Sequence, residues 1–470
     1  MYTLQGFSTV LMLIQTVVLA RLLTPEHFGI VGVFLIFSAA LESFTQAGLT
    51  KALIQRKNLN RDFLNTAWAV SIIRGIILFS LVFISSTIVV DFFNTPKALP
   101  VIKVLGFSML LQGFYNPGTT YFSRDLDFFK QFLWQGGGVL ANFLVSIPLA
   151  FILRNEWAIV WGMLSRTIVT LILSFYLHPS KPHFIIKYEV FKKLYKFGKW
   201  IFFSSILAFF VRQGDKIFVA KLLDTTLLGI YIMACRIAFL PQLFSKVLPK
   251  ALLPAYSKFQ NNPLVLKDKY IDSLKGVSIF YFPVLGGIIV FSEPFIFNIL
   301  GEKWISAQLP MQILALAVGI NFLMLTGPSL FNAMGKTSFN FKVNCASGIV
   351  FSIFIYPLVK TYQVEGAALC YLMMVLAMFI VWKIEIRNLI DFKFIDLRCI
   401  LLPLISTIFT SILIICVAPL FNMNNISMFI GAIFFSGLIY LLIGLLIEKV
   451  TGLYFIKSFI VDIRFIITGK

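Results

Sequence analysis

The chain has 470 residues, of which 59% are hydrophobic and only 13% are charged, and its mean hydropathy is +0.91. Soluble domains carry about 25% charged residues, so this composition excludes a water-soluble protein. The formal net charge of +20 requires no nucleic-acid partner, because the basic residues collect in the connections between apolar runs, where they meet anionic membrane lipid.

Apolar runs of about 20 residues, the length a helix needs to cross a bilayer, recur along the chain. We therefore expect an all-α polytopic membrane protein with about fourteen transmembrane helices. The first run starts almost at residue 1, and Arg21 is the first basic residue, whereas a cleavable signal peptide begins with a basic region. We expect a membrane helix there and not a cleavable signal peptide. The predicted spans are 2–20, 28–49, 66–90, 99–121, 132–153, 157–177, 197–220, 226–248, 274–299, 308–331, 340–359, 364–384, 400–419 and 428–447.

The basic residues test this count independently, because cytoplasmic loops collect lysine and arginine. Most of the 40 lysines and arginines lie in alternate connections between the spans and in the tail after the last span. This alternation predicts an even number of helices with both termini in the cytoplasm. The basic stretch 187–196 is either an amphipathic helix at the membrane surface or a solvated loop.

Helix-breaking residues or a single charge interrupt the apolar runs at several places. Asn116-Pro117-Gly118 falls inside the fourth span, Gly327-Pro328 falls inside the tenth, and Arg154 separates the fifth from the sixth. Pro and Gly within a membrane helix bend it or allow close packing.

The chain also matches itself at an offset of about 200 residues. Residues 20–30 read ARLLTPEHFGI and residues 220–230 read AKLLDTTLLGI, and KALI at 51–54 matches KALL at 250–253. An even number of predicted helices separates the copies, so both halves have the same orientation. Parallel repeats are a transporter architecture with the substrate site between the halves; the alternative is a chance match of apolar strings.

Five segments in and around this repeat are ARLLTPEHFG (20–29), GLTKALIQR (48–56), GDK (214–216), AKLL (220–223) and GIY (229–231). They resemble the polysaccharide biosynthesis (Wzx-type) flippases of the MOP superfamily, which carry lipid-linked oligosaccharides, and are closest to the branch of colanic-acid exporters. The chain departs from the family pattern by lacking a basic lead-in before the first helix.

The resemblance implies two pseudo-symmetric six-helix lobes, 1–180 and 197–385, joined by a basic cytoplasmic linker, 181–196, and followed by two helices and a tail, 386–470. It implies a flippase for undecaprenyl-diphosphate-linked oligosaccharide repeat units in a bacterial plasma (inner) membrane, serving exopolysaccharide or O-antigen assembly. A polysaccharide polymerase and glycosyltransferases are the implied protein partners.

Ionisable residues within predicted spans are functional candidates, because burying a charge in the bilayer is unfavourable. The excess of cations predicts a basic lumen that binds the diphosphate or an acidic sugar, which arginine engages bidentately. Alternatively, Asp215 pairs with Arg212 or Lys216 and Glu42 pairs with Arg74, or the two carboxylates bind a coupling ion. The cations are Arg74, Arg166, Arg212, Lys216 and Arg236, and the carboxylates are Glu42 and Asp215.

We expect a transporter that works by alternating access, with no cofactor, driven by the membrane potential or by a Na⁺ or H⁺ gradient. The chain has no P-loop motif, and its five cysteines have no metal-binding spacing. The alternative of the same architecture is a MATE-like exporter of drugs and organic cations, which relies on buried carboxylates. An enzyme that polymerises or ligates lipid-linked sugars needs a large outer loop, and every predicted outer connection is short.

Overall fold

The apolar runs form helices because a backbone in hydrocarbon must satisfy its hydrogen bonds within its own segment. The computed structural model describes residues 2–45, 61–125, 127–242, 248–260, 262–336, 338–393, 396, 398–417 and 425–451, and it places nearly all of them in helices. Contacts group the chain into two compact units, Met1–Ile232 and Met233–Lys470.

In the described residues of the first unit there are eight α-helices and the first half of a ninth. A short 3₁₀ turn, Pro117–Thr119, precedes the fifth helix. The helices are α1 (Tyr2–Leu22), α2 (Pro25–Thr45), α3 (Arg61–Phe93), α4 (Ala98–Gly113), α5 (Thr120–Arg124), α6 (Phe128–Leu153), α7 (Trp157–Tyr176), α8 (Tyr188–Leu222) and α9 (Thr225–Ala238).

The second unit begins within α9. Its aromatic core includes Trp382 and Phe331, whose side chains are almost fully buried, and the Phe331 ring stacks on that of Phe339 at a centroid distance of 3.9 Å. The further α-helices among the described residues are α10 (Leu248–Lys258), α11 (Pro263–Val290), α12 (Ser292–Phe295), α13 (Gln308–Leu323), α14 (Gly327–Ala333), α15 (Ser338–Ile390), α16 (Arg398–Val417) and α17 (Ile426–Thr451).

Within the described residues, nine helical segments are long and apolar enough to cross a membrane, or ten if one bent pair is a single span. The bent pair joins Ala98–Gly113 to Pro117–Arg124 at 73°, which confirms the predicted interruption of the fourth span. The Asn116 carboxamide oxygen accepts a hydrogen bond from the Gly118 amide at 2.8 Å and so stabilises the turn. The chain is a multi-pass membrane protein.

At two places a helix continues beyond the ends of the predicted span. The stretch 188–196 is helical and continues as α8 to Leu222 without interruption. The two spans predicted at 340–359 and 364–384 are both part of α15. The non-helical backbone of Gln363, with φ 48° and ψ −122°, divides them. The predicted separation at Arg154 is confirmed, because this residue ends α6 in the left-handed conformation with φ 51°.

The repeated segments 20–30 and 220–230 meet inside the first unit. Gly29 lies against the backbone of Thr225, and Gly229 lies against the backbone of Pro25 and 3.1 Å from the Gly29 nitrogen, both measured from an ideal Cβ position. The starts of α2 and α9 therefore cross at a pair of equivalent glycines. The matching segment 51–54 and the family-like segment 48–56 lie outside the described residues.

Candidate functional site

A polar cavity of about 390 Å³ lies within the first unit, beside the break between α4 and α5. A polar cavity in a membrane-spanning bundle is a candidate site, because discontinuous helices expose backbone and polar groups where transporters bind substrates. Its lining residues are Glu42, Ala67, Ser71, Arg74, Gly75, Leu78, Met109, Gln112, Gly113, Tyr115, Asn116, Pro117, Thr119, Thr120, Ser123, Trp134 and Gln135.

The structure brings two of the predicted site residues, Glu42 and Arg74, to this cavity. Glu42 lies on α2 and Arg74 lies on α3, and both side chains are half-buried. The Arg74 guanidinium donates a long hydrogen bond of 3.5 Å to the Glu42 backbone carbonyl, and the two side-chain charges attract each other. The cavity therefore holds a cation that is partly neutralised by a neighbouring carboxylate.

Polar and aromatic groups that the sequence reasoning missed complete the cavity. Among the described residues, the side chains of Gln112, Ser123 and Gln135 make no hydrogen bond with the protein, although all three line the cavity. The Trp134 indole is held in place because its nitrogen donates to the Thr170 carbonyl at 3.1 Å. The signal that could have found them is the set of amides within apolar runs close to the Pro117 break.

Asp215 is buried, and both of its carboxylate oxygens contact other side chains. It is 5% exposed, and the Tyr231 hydroxyl donates to one of its carboxylate oxygens at 2.7 Å. The other carboxylate oxygen lies 3.5 Å from the Lys216 ammonium. The two ends of one carboxylate thus join α8 to α9 and anchor Lys216.

Gln15, which corresponds to Asp215 in the repeat, makes a different connection. Its amide nitrogen donates to the Asn142 carboxamide oxygen at 3.0 Å and to the Ser146 hydroxyl at 2.8 Å, so it joins α1 to α6. Equivalent positions in the two copies therefore both carry buried polar connections, but with different partners.

The remaining predicted cations are more exposed. Arg212 and Lys216 share a face of α8 as predicted, and the Lys216 ammonium donates to the Arg212 carbonyl at 3.3 Å. Arg236 is an exposed side chain on α9. Arg166 is exposed on α7, one residue before Thr167, whose carbonyl accepts a hydrogen bond of 3.4 Å from Tyr115 at the cavity.

Polar contacts also join elements near the start of α4, whereas the cavity lies beside the end of that helix. The Lys97 ammonium lies 2.7 Å from the Glu26 carboxylate, and the Lys221 ammonium donates to the Phe92 carbonyl at 2.7 Å. The hydrogen bond to Glu26 raises the pKa of Lys97, so this lysine stays charged at neutral pH. These contacts join α2 and α8 to the end of α3 and to Lys97 just before α4, a region that the charge pattern predicts to lie on the outer side.

The sequence is similar to known polysaccharide biosynthesis proteins. A family model described as "Polysaccharide biosynthesis protein" matches residues 18–309. The chain is 26% identical over 362 residues to the lipopolysaccharide biosynthesis protein WzxC of Escherichia coli (strain K12), a match that covers 76% of this chain and 72% of that protein.

Two solved structures show the fold. The lipid II flippase MurJ, in an inward closed conformation, matches with a TM-score of 0.76 at 16% identity, over 95% of this chain and 98% of that one. A multidrug resistance MATE family transporter of the MOP superfamily, in its inward-facing conformation, matches with a TM-score of 0.67 at 14% identity, over 82% of this chain and 96% of that one. The chain therefore has a MOP-like, MATE-like fold.

Proposed function

Because this chain belongs to the polysaccharide biosynthesis protein family, a family of transporters and not of enzymes, we propose that it is a lipid-linked oligosaccharide flippase. It carries undecaprenyl-diphosphate-linked repeat units from the inner to the outer leaflet of a bacterial plasma membrane by alternating access. The product supplies the assembly of a surface polysaccharide.

The proposal includes the predicted topology of about fourteen helices, with the six-helix lobes 1–180 and 197–385, the linker 181–196, the C-terminal part 386–470 and both termini in the cytoplasm. The nine or ten candidate spans support it. So do α1, α8 and α9, which cover further predicted spans, and the α15 segment divided at Gln363.

The observation that carries the proposal is the cation in the polar cavity of the first unit. An arginine within a membrane bundle is unfavourable unless it is paired or faces a polar space, and Arg74 has both conditions because of Glu42 and the cavity. Guanidinium binds phosphate oxygens in a bidentate manner. We propose that a diphosphate or an acidic sugar takes the place of Glu42 as the partner of Arg74 when substrate binds.

The other predicted cations extend this basic path. Arg166, Arg212, Lys216 and Arg236 remain proposed contacts of the anionic headgroup. The hydrogen bond from Tyr231 to Asp215 and the ion pair of Asp215 with Lys216 favour a structural role for that carboxylate. Glu42 is therefore the stronger candidate for a group that exchanges a coupling ion.

The energy source follows from the charge of the cargo. An inside-negative membrane potential favours outward movement of an anion by about 2.3 kcal/mol per charge for each 100 mV. A diphosphate can therefore be exported without ATP, with or without help from a Na⁺ or H⁺ gradient.

Charge-neutral substitutions at Arg74 and Glu42 separate substrate binding from internal pairing. If Arg74 binds the substrate, Arg74→Gln and the double variant Glu42→Gln/Arg74→Gln both abolish export, although the double variant leaves no unpaired charge. Lys103→Gln is the matched control, because this half-buried lysine lies on α4 near the Phe83 ring and does not line the cavity. Export is measured as surface polysaccharide at equal membrane levels of each variant.

Restored export in the double variant would contradict substrate binding by Arg74, because it would show that the arginine only balances Glu42. A deletion strain with normal polysaccharide and raised sensitivity to organic cations would instead establish the multidrug alternative.

A further inference from the structure

The second unit contains a cavity of its own, beside an equivalent break. It has a volume of about 330 Å³ and lies where α13 ends and α14 begins at Gly327-Pro328. Interrupted helices at corresponding positions of two repeats mark binding sites in transporters. The lining residues are Gln242, Tyr281, Val318, Asn321, Phe322, Met324, Leu325, Pro328, Phe339, Asn340, Val343, Asn344 and Met378.

Three asparagines give this cavity its chemistry. Asn321 lies on α13, while Asn340 and Asn344 lie one turn apart on α15. Within the described residues, none of the three carboxamides makes a hydrogen bond with the protein. Asn321 is half-buried, whereas Asn340 and Asn344 are exposed, so each carboxamide, with two donors and a carbonyl acceptor, is open to a ligand. The cavity is therefore lined with donors and acceptors that a ligand can satisfy.

The cavity differs from that of the first unit in charge. No Asp, Glu, Lys, Arg or His is among the residues that line it in the described part of the chain. Gln242 occupies the repeat position of Glu42, and Tyr281 lies on α11, the counterpart of the helix that carries Arg74. Among the described residues, a charged ligand group would meet no counter-charge in this cavity, and burying an unpaired charge is strongly unfavourable. The expected ligand is uncharged and rich in hydroxyl or amide groups.

Aromatic rings supply an apolar wall. The Tyr281 and Phe322 rings stack at a centroid distance of 3.6 Å, and the Tyr281 hydroxyl is committed to the Pro241 carbonyl at 2.6 Å. Both rings are 4% exposed and each covers one face of the other, so they form a rigid apolar wall of the cavity. The volume falls in the range of small-molecule sites, roughly 300–1,000 Å³.

We propose that this asparagine-lined cavity is a subsite for an uncharged sugar ring, a hexose or an N-acetylhexosamine, of the lipid-linked glycan. The inference rests on the proposed function. The two cavities bind different parts of the substrate, because the cavity of the first unit takes an anionic group and the cavity of the second unit takes a neutral sugar. Asn340 and Asn344 lie in the first two turns of α15, at the end that the charge pattern assigns to the cytoplasm, where the substrate is loaded.

Direct binding tests the subsite without requiring transport. The protein is placed in nanodiscs free of sugar-headed detergent and is studied by saturation-transfer NMR with methyl glucoside, galactoside, mannoside and N-acetylglucosaminide. Methyl glucuronide is the charged comparator. We expect at least one neutral glycoside to bind. Because two carboxamides are lost, Asn340→Leu/Asn344→Leu weakens that binding about tenfold or more.

Two matched variants separate sugar binding from folding. Asn340→Gln/Asn344→Gln keeps the amide chemistry and retains most of the binding, and Lys103→Gln, which lines neither cavity, leaves neutral-sugar binding unchanged. Unchanged binding in the leucine variant, binding of the glucuronide alone, or no neutral glycoside bound by the wild type would each overturn the subsite. Failure of the proposed function would instead appear as an absence of glycan transport, which this binding measurement does not involve.

Discussion

The glycine crossing of α2 and α9 gives the sharpest prediction of packing. An ideal Cβ at Gly229 would lie 2.8 Å from the Pro25 carbonyl carbon, and one at Gly29 would lie 2.7 Å from the Thr225 carbonyl carbon. Non-bonded carbon atoms rest at about 3.5–4.0 Å, and the carbonyl oxygens of Pro25 and Thr225 lie closer still, so an added methyl group must separate the two backbones by at least about 1 Å. No rotamer change relieves a contact with backbone.

We therefore expect Gly29→Ala and Gly229→Ala each to lower the free energy of unfolding by about 1–3 kcal/mol, the usual cost of overpacking. The double variant loses less than the sum of the single variants, because one separation of the helices accommodates both methyl groups. Equilibrium unfolding in mixed micelles with increasing SDS measures these differences.

Gly348→Ala is the matched control, because Gly348 is a helical glycine in α15 with no atom within 4 Å of its added Cβ. Alanine there is expected to be neutral or stabilising by up to about 1 kcal/mol. Wild-type stability in both Gly29→Ala and Gly229→Ala would refute the close crossing.

Three further variants test other contacts. Tyr231→Phe removes the hydroxyl that donates to buried Asp215 and should lower the free energy of unfolding by about 1.5–3 kcal/mol; wild-type unfolding would contradict this. Gln15→Leu leaves the Asn142 carboxamide without its donor and should lower the free energy of unfolding by about 1–3 kcal/mol. Wild-type stability would contradict this and show that other contacts alone join α1 to α6. Burial, with nearby Lys130, lowers the pKa of His178, so the unfolded chain binds more protons below about pH 6.5 and stability falls as the pH drops; thermal unfolding of His178→Gln from pH 5 to 8 should lose this slope.

Much of the fold could be predicted because the bilayer imposes it. Spans of about 20 apolar residues have one viable conformation in lipid, and the breaks at Pro117 and Arg154 follow from local chemistry that the sequence displays. The continuous run of α8 from the linker into the membrane could not be predicted, since hydropathy marks where a membrane span lies and not where a helix begins.

The candidate site was predictable only in its charged members. Buried charges such as Glu42 and Arg74 are conspicuous because they are costly in lipid. Amides such as Gln112 and Asn344 are not, since asparagine and glutamine also serve as ordinary packing partners between membrane helices. Their meaning depends on the two cavities, and these form from helices that are far apart in sequence.

The measurement that tests the central claim most directly is the sidedness of the lipid-linked oligosaccharide in a strain from which the gene is deleted. The glycan is labelled with a membrane-impermeant probe before and after permeabilisation. A flippase predicts accumulation on the cytoplasmic leaflet and loss of surface polysaccharide, both reversed by the wild-type gene and not by Arg74→Gln. Unchanged pools of lipid-linked glycan with normal surface polysaccharide would contradict it.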